Sequence, residues 1–275
     1  MWLVLALGVG VGLLMGLTGA GGGILSVPIL VTGLGWSMQE AAPVALMAVA
    51  VGASVGAVDG LRKGLVRYKA ALLMALFGVP MTRLGLDLAK RLPGEGLKLV
   101  FAILLIHLGL KMYRQARSGT LFEEWGPLQV ALINHQTGRF IWTPSTALLM
   151  IGIGSVTGLL SGLLGVGGGF FIVPMLKKFS RLSMPGIVAT SLFLIALVSG
   201  GGVINASLDG TNWPAQTWPF VVAVTLGVMG GRRFAHQVRP ELLQRAFAGV
   251  LLMVAVILLA QAGSEWWIKG MSPAT

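Results

Sequence analysis

The sequence predicts an all-α protein, a polytopic membrane helix bundle of two inverted repeats, each with about five segments and a glycine-broken short helix. Hydrophobic residues fill 55% of the 275 positions and charged residues only 11%, whereas soluble domains carry about 25% charged residues. The mean hydropathy is +0.86, and apolar stretches of roughly 20 residues, long enough to cross a bilayer, recur along the chain. An internal repeat then divides these stretches into two halves.

Long apolar stretches predict the spanning helices. They lie near residues 2–18, 40–58, 70–88, 97–113, 145–164, 185–204, 217–234 and 242–262. Two shorter apolar pieces, 24–34 and 170–179, each follow a glycine run and contain a proline. Because the first stretch lacks the basic start and small-residue cleavage site of a signal peptide, Met1–Leu17 is predicted to stay as a spanning helix.

A duplication is the strongest internal signal. Residues 8–30 match residues 154–176 at 13 of 23 positions without a gap, at an offset of 146. This is far more than the shared glycine and leucine content explains. The matches include Gly8/Gly154, Gly12/Gly158, Gly16/Gly162, Gly19/Gly165, Gly21–Gly23/Gly167–Gly169, Val27/Val173 and Pro28/Pro174. Repeats within a membrane chain are a common construction of secondary transporters.

The distribution of Lys and Arg decides between parallel and inverted halves. If the short pieces cross the membrane, each half has five crossings and the second half is upside down; if they are re-entrant, each half has four and both run the same way. The inverted arrangement puts 15 of the 20 basic residues on one side, and the parallel arrangement divides them 11 to nine. Because cytoplasmic loops are rich in Lys and Arg, inversion is favoured, with both termini outside and the central loop in the cytoplasm.

Domain boundaries follow from the repeat. The predicted units are a first transmembrane repeat over 1–114, a cytoplasmic connecting loop over 115–144 and a second transmembrane repeat over 145–275. Within the loop, the aromatic residues Phe122, Trp125 and Trp142 favour an ordered segment at the membrane interface over a floppy linker.

The glycine runs interrupt each half where a helix should continue. Each glycine in a helix interior costs about 1 kcal/mol relative to alanine, so the chain is expected to unwind there. Irregular backbone at membrane depth survives only where it is buried in protein or lines a watery cavity. A new helix is then predicted near Ile24 and near Phe170, and its first N–H groups and dipole favour an anion. Two tight turns without a ligand are the alternative interpretation.

These breaks supply the predicted substrate-binding residues. They are Thr18, Gly19, Gly21, Gly22, Gly23, Gly165, Gly167, Gly168 and Gly169. Related by a pseudo-two-fold axis, the two breaks would face each other near the middle of the membrane. Pro28 and Pro174 come five residues after the last glycine of each run, so each is expected to kink its short helix.

A glycine at every fourth residue precedes each break. The two series are Gly8, Gly12 and Gly16, and Gly154, Gly158 and Gly162. On a helix this spacing makes a smooth stripe where a neighbouring helix can approach closely, so packing is the preferred interpretation.

Few polar residues lie within the spans, and an ionisable residue there is a functional candidate by default. A polar path is predicted to include Ser54, Asp59, Thr190, Ser191 and Asn205. In the alternative interpretation Asp59 is an interface charge, and the hydroxyls bond the carbonyl four residues back in their own helix. Arg83 and Asp87, four residues apart, are expected to pair on one helix face.

Several function classes find no support. The chain has no cysteine, which excludes disulfides and thiolate metal sites. Its net charge of +11 comes largely from loops between apolar segments, so nucleic acid is not an expected partner. Neither glycine run has the spacing of a nucleotide-binding motif. No nucleophile–base pair or metal cluster is recognisable, so we expect no enzyme activity, cofactor or metal.

The paired segments 16–28 and 162–174 share the pattern G-x-x-G-x-G-G-G-x-x-x-x-P, which resembles the TauE/SafE sulfite exporter family. Gly227-Val-Met-Gly-Gly-Arg-Arg-Phe-Ala is similar to that family's motif in the penultimate span. The resemblance implies a multi-pass permease of a prokaryotic inner membrane that carries small sulfur-containing anions such as sulfite or organosulfonates.

The expected function is therefore a secondary transporter of a small anion, working by alternating access at the two breaks with protons as the candidate coupling ion. Two alternatives stay open. One is a non-transporting scaffold or assembly subunit that uses its glycine stripes as an interaction surface, and the other is a channel.

Overall fold

The structure is a computed structural model that describes residues 1–118, 131, 140–180, 182–234 and 240–271. These residues form helices and their connections. The helices are α1 Trp2–Thr18, α2 Ser26–Leu34, α3 Met38–Arg62, α4 Tyr68–Arg91, α5 Gly94–Ser118, α6 Pro144–Leu164, α7 Gly169–Phe179, α8 Met184–Leu208, α9 Thr217–Phe234 and α10 Pro240–Met271. A 3-10 segment, Gly19–Leu25, joins α1 to α2. Each predicted helical segment is confirmed.

Length and composition make the bundle a membrane protein. In the described part of the chain six helices are long and apolar enough to span a bilayer, namely α3, α4, α5, α6, α8 and α10. Large apolar side chains such as Leu76, Leu148 and Leu226 are exposed on the outside of the bundle, where lipid tails rather than water would surround them. The predicted polytopic helix bundle is thus confirmed.

The duplication extends to the helix boundaries. The first residues of α3 and α8 are 146 positions apart in the sequence, and so are their last residues. The first residues of α5 and α10 have the same separation. The starts of α3 and α8 also share a cause, because Ser37 and the equivalent Ser183 both lie in extended backbone as N-cap residues. Ser37 completes a capping box with Glu40, an arrangement that satisfies two otherwise unpaired N–H groups.

The glycine stripes bring helices of opposite halves together. A Cβ added at Gly12 would overlap the Val224 carbonyl of α9, and one added at Gly158 would overlap the Gly78 carbonyl of α4. The predicted packing role of the stripes is therefore confirmed. In each pair the contacts advance in the same direction along both helices, so α1 runs parallel to α9, and α6 runs parallel to α4.

The two central helices are sequence equivalents that run antiparallel. Gly60 of α3 faces Ala189 near the start of α8, whereas Gly202 near the end of α8 faces Leu46. Helices α5 and α10 are also equivalents, and Gln244 near the start of α10 donates to the Met112 carbonyl near the end of α5. Each of these pairs therefore crosses head to tail.

The bundle has two ends, which we name after their aspartates. The Asp59 end carries Asp59, Arg67, Thr190 and Arg232, and the Asp209 end carries Gln39, Lys90, Leu92 and Asp209. Helix α2 leaves the first break and returns beside α1 toward the Asp209 end, since Gly33 faces Leu7.

The segment between the halves is largely outside the described residues. Phe122 and Trp125, predicted to order this loop, fall there. Trp142, just before α6, is exposed. Helix α5 continues to Ser118, four residues beyond the predicted end of the first repeat. The Ala131 N–H donates to the Phe179 carbonyl at 3.0 Å, which connects this segment to the end of α7.

Candidate functional site

The first break is a compact 3-10 turn that folds back on α1. Helix α1 ends at Thr18, and Gly19 follows with a φ of 72°. A Cβ added at Gly22 would overlap the backbone of Met15, so only glycine permits this close return. The Thr18 hydroxyl donates to the Leu14 carbonyl at 2.6 Å. The hydroxyl hydrogen of Thr18, a predicted binding residue, is therefore already bonded within α1.

The second break is built differently. Gly165, Gly167 and Gly168 all have positive φ, between 68° and 74°, and α7 then begins at Gly169. The Gly168 carbonyl accepts the N–H groups of Phe171 and Ile172. Three left-handed residues turn the chain sharply, so α7 starts one residue from its predicted position near Phe170. In the first copy α2 starts at Ser26 rather than near Ile24, because the 3-10 segment continues through Leu25.

The two breaks meet in the interior of the bundle. A Cβ at Gly23 would lie 3.1 Å from the Val166 carbonyl and 3.0 Å from Val49 Cγ2, and one at Gly167 would lie 2.6 Å from Val49 Cγ1. Gly22, Gly23 and all of 165–169 are buried. The 3-10 segment that leads into α2 thus lies against the second break, and α7 begins in the buried core with the positive end of its dipole there.

The two prolines occupy different positions in their helices. Pro28 is the third residue of α2 and follows directly on the 3-10 segment, in which the Ser26 N–H donates to the Gly23 carbonyl. Pro174 is the sixth residue of α7 and lies inside it. Both prolines thus follow residues in helical conformation, where the missing N–H favours a kink.

Buried hydroxyls surround the breaks. Ser199 Oγ lies 3.1 Å from the position of a Cβ at Gly167, and Thr157 packs against Gly168. Both side chains are fully buried. Neither hydroxyl has a hydrogen-bond partner among the described residues. A buried hydroxyl without a partner lowers the stability of the fold by about 1–3 kcal/mol. Two such groups beside the breaks therefore indicate a functional role or a ligand.

The predicted polar path divides into separate places. Ser191 is fully buried with an unpartnered hydroxyl. Thr190 accepts the Arg67 N–H at 3.0 Å and so connects α8 to the start of α4. Asn205 is half-buried near the end of α8. Ser54 lies on the exposed face of α3 and donates to the Ala50 carbonyl at 2.7 Å, which places it away from the breaks.

Asp59 joins two helices at the Asp59 end. Arg232 of α9 donates to its carboxylate at 2.6 Å, and Lys63 donates at 3.0 Å. Arg232 is also packed against Gly56, where a Cβ would overlap its guanidinium. The predicted path residue is thus one partner of an ion pair between the two halves.

A second ion-pair cluster lies at the Asp209 end. Lys90 donates to Asp209 at 2.8 Å, and Arg83 lies 3.7 Å from it. The hydrogen bond from Lys90 holds the pKa of the Asp209 carboxyl below its usual value of 3.8. The expected pairing of Arg83 with Asp87 is replaced by this contact, because the loop after α8 brings Asp209 closer, while Asp87 lies 4.0 Å from Lys90.

A cavity of about 50 Å³ lies at the Asp209 end. Its lining includes Gln39, Ala42, Pro43, Leu86, Lys90 and Thr211. Ala42 also contacts Gly165 of the second break, so the cavity ends close to the breaks. At the Asp59 end the residues equivalent to Pro43 and Leu86 are Ala189 and Arg232, which pack against Gly60 and Gly56.

Within the described ranges no group of three or more His, Cys, Asp or Glu side chains is placed to hold a metal ion. The donors near the breaks are hydroxyl and backbone N–H groups.

Comparison with known proteins identifies the family. Residues 4–258 match the protein family described as Sulfite exporter TauE/SafE. The chain belongs to the TauE/SafE family. A "Probable membrane transporter protein" of Xylella fastidiosa is 31% identical over 266 residues, covering 94% of this chain and 95% of that protein. Two proteins of Bacillus subtilis with the same description are also similar. YunE is 24% identical over 94% of this chain and 96% of its own length, and YjnA is 23% identical over 93% and 98%.

No solved structure matches the chain significantly. Membership of the TauE/SafE family together with the apolar spans makes this chain a membrane transporter, a multi-pass protein of the inner membrane. The resemblance read from the paired glycine motifs is confirmed. The family is one of transporters and not of enzymes, in agreement with the expected lack of catalysis.

Sequence reasoning overlooked some buried polar residues of the candidate site. Ser26, Thr157 and Ser161 were not among the predicted residues, although all three are fully buried and have unpartnered hydroxyls. A signal for them exists in the repeat, because their equivalents Ile172, Val11 and Met15 are apolar. Arg232 was also missed; its equivalent is Leu86.

Proposed function

We propose that the protein is a secondary transporter that moves a small oxyanion by alternating access around the two glycine breaks. One observation carries the proposal: the breaks contact each other in the core, and two helices begin there. Helix N-termini offer unpaired N–H groups and a positive dipole end, which suit an anion at the junction of two repeats. The family's description favours sulfite or an organosulfonate.

The repeats are proposed to be inverted. Two equivalent helices are antiparallel when the two-fold axis that relates them is perpendicular to them, and parallel when the axis runs along them. The antiparallel contacts between α3 and α8, such as Gly60 with Ala189, support the perpendicular axis. If these helices span the bilayer, that axis lies in the membrane plane.

Basic residues support the orientation. Arg62, Lys63, Arg67 and Arg232 lie at the Asp59 end, and Arg83, Lys90 and Arg91 lie at the other. By the positive-inside rule, the Asp59 end is proposed to face the cytoplasm, and the Asp209 end to face outward.

The two ends differ as alternating access requires. The cavity at the Asp209 end reaches Ala42 beside the second break. At the Asp59 end, Ala189 is packed on Gly60, and Arg232 is tied to Asp59. We interpret this asymmetry as a state that is closed toward the cytoplasm. Protons stay the candidate coupling ion.

The scaffold alternative required the glycine stripes to be exposed as an interaction surface. Gly12 and Gly158 pack on backbone carbonyls of α9 and α4 within the same chain. Both stripes are therefore used inside the bundle, and they are not available to a partner protein.

An anion panel tests the proposal. Purified protein in detergent is heated with sulfite, methanesulfonate, sulfate or chloride, and its melting temperature is recorded. A ligand at 100 times its Kd stabilises the folded state by about 2.7 kcal/mol, so a sulfur oxyanion should raise the melting temperature and chloride should not. Proteoliposomes then measure uptake of the stabilising anion. Saturable flux driven by a gradient is expected; non-saturable flux would indicate a channel, and no response to any anion would indicate a scaffold.

A further inference from the structure

The unpartnered hydroxyls of the core are distributed unequally between the two halves. In the part of the chain that the structure describes, the buried hydroxyls without a partner belong to Ser26, Thr157, Ser161, Ser191, Ser199 and Thr217. All but Ser26 come from the second half. Buried polar groups are normally hydrogen-bonded, so each exception needs an explanation such as an absent ligand or water.

The repeat shows that this polarity is specific to one copy. Thr157 corresponds to Val11 and Ser199 corresponds to Ala53 at the offset of 146. A packing role alone does not require these hydroxyls, because the first copy fills the equivalent positions with apolar side chains of similar size. The difference therefore points to a ligand that contacts the second copy.

Both hydroxyl residues lie against the start of α7. Ser199 Oγ is 3.1 Å from the position of a Cβ at Gly167, so it is directed at the second break. The methyl group of Thr157 packs on Gly168, the N-cap of α7, and the Thr157 hydroxyl has no partner. The first break has one such donor, Ser26 at the start of α2, which is buried and unpartnered. There Thr18 is bonded to Leu14, and Gly23 faces the side chain of Val49 and the carbonyl of Val166.

The charge of the site is small. The second break, residues 164–169, contains no ionisable side chain. The start of α7 carries the equivalent of about half a positive charge, so it compensates for no more than one negative charge. A dianion would keep an uncompensated charge in a low-dielectric interior, which is costly.

We propose that the substrate binds off the pseudo-symmetry axis, in the second break, and that it is a singly charged oxyanion. Its oxygens accept hydrogen bonds from Thr157 and Ser199 at the start of α7, while the first break packs over it as an apolar cover. This inference rests on the proposed function and adds to it the half of the site that binds and the charge of the ligand.

Two probes of similar shape test the charge. Methanesulfonate carries one negative charge and sulfate carries two. Binding of each to the purified full-length chain is measured by melting temperature over a concentration series. We expect methanesulfonate to bind at least tenfold more tightly than sulfate. Equal or tighter binding of sulfate would overturn the single-charge assignment.

Isosteric substitutions test the location. Thr157→Val and Ser199→Ala each delete a hydroxyl and little else. Because the deleted groups have no partner in the protein, the melting temperature without anion should be unchanged or higher. Affinity for methanesulfonate should fall about 10- to 100-fold for each, the range of one hydrogen bond to a charged group. Thr82→Val is the matched control, because Thr82 is equally buried but donates to the Gly78 carbonyl at 2.9 Å.

The outcomes separate the two proposals. If the unaltered protein responds to methanesulfonate and both variants respond equally well, the off-axis site is wrong while the transporter proposal stands. If Ser26→Ala alone abolishes the response, the ligand occupies the first break and the inference is overturned. If the unaltered protein responds to no oxyanion, the proposed function fails, and the inference fails with it.

Discussion

Single glycines decide how closely the two halves approach. At Gly158 a Cβ would overlap the Gly78 carbonyl, whereas at Gly152, six residues earlier on α6, it would meet nothing within 4 Å. Both positions are helical, so the difference lies in the neighbour and not in the backbone conformation. Association of membrane helices depends on such close packing, because lipid tails are as apolar as the helix surface.

Gly158→Ala is expected to lower the stability of the bundle. The added methyl group meets backbone of α4, which cannot rotate away, so the cost should be about 1–3 kcal/mol, as in other overpacked cores. Gly152→Ala is the control and should be neutral or slightly stabilising, since alanine is the better helix former. Thermal unfolding in detergent compares the two. Equal melting temperatures would contradict the close contact between α6 and α4.

At the scale of helices, the contacts at the two ends of the bundle differ. The pair Asp59–Arg232 joins α3 to α9, and its equivalents in the other half, Asn205 and Leu86, carry no charge. A repeat protein that alternates between two states needs unequal ends in any one state, and sequence differences between the copies set which state is more stable.

Arg232→Leu should make the Asp59 end open more often. The substitution gives position 232 the leucine of its repeat equivalent, Leu86. It removes one partly buried ion pair, which contributes at most about 1 kcal/mol and so changes the ratio of open to closed molecules at most about fivefold. The readout is the labelling rate of Ala189→Cys, which lies against Gly60 at this end; the chain has no other cysteine. We expect labelling to accelerate by up to about fivefold.

Arg233→Leu supplies the control for that measurement. Arg233 is the exposed neighbour of Arg232, so its substitution removes the same charge without the contact to Asp59. Its labelling rate should match that of the parent. Equal rates in the Arg232 and Arg233 variants would show that the ion pair does not hold this end closed.

At the scale of the whole molecule, sequence periodicity and duplication were sufficient for the helices and for the position of both breaks. They were insufficient for the local geometry of the breaks, because Gly19–Leu25 coils as a 3-10 segment while Gly165, Gly167 and Gly168 turn left-handed. The glycine patterns are nearly identical, so the packing around them makes the difference.

The polar residues were harder to predict for a related reason. Whether a hydroxyl is free depends on its rotamer and neighbours, as Thr18 and Ser54 show by bonding their own helices. The hydroxyls of Thr157 and Ser199 have no partner, although all four are the same kind of small hydroxyl residue in an apolar stretch of the sequence. Comparing the two copies position by position, rather than searching for matches, would have indicated Thr157 beforehand, because its equivalent is Val11.

Membrane orientation can be tested with two single-cysteine variants. Lys69 is exposed at the start of α4, beside the Asp59 end, and Asn212 is exposed in the segment that follows α8 at the other end. These two regions are equivalent in the repeat. In an inverted protein they lie on opposite sides of the membrane, and in a parallel one they lie on the same side. Intact cells are treated with a membrane-impermeant maleimide before or after permeabilisation.

We expect Asn212→Cys to react in intact cells and Lys69→Cys to react only after permeabilisation, since the basic end should face the cytoplasm. The parent chain, which has no cysteine, gives the background. Labelling of both variants from the same side would reject the inversion and, with it, alternating access through a shared central site. The reverse pattern would keep the inversion but turn the protein over, so that the cavity beside Ala42 would open to the cytoplasm.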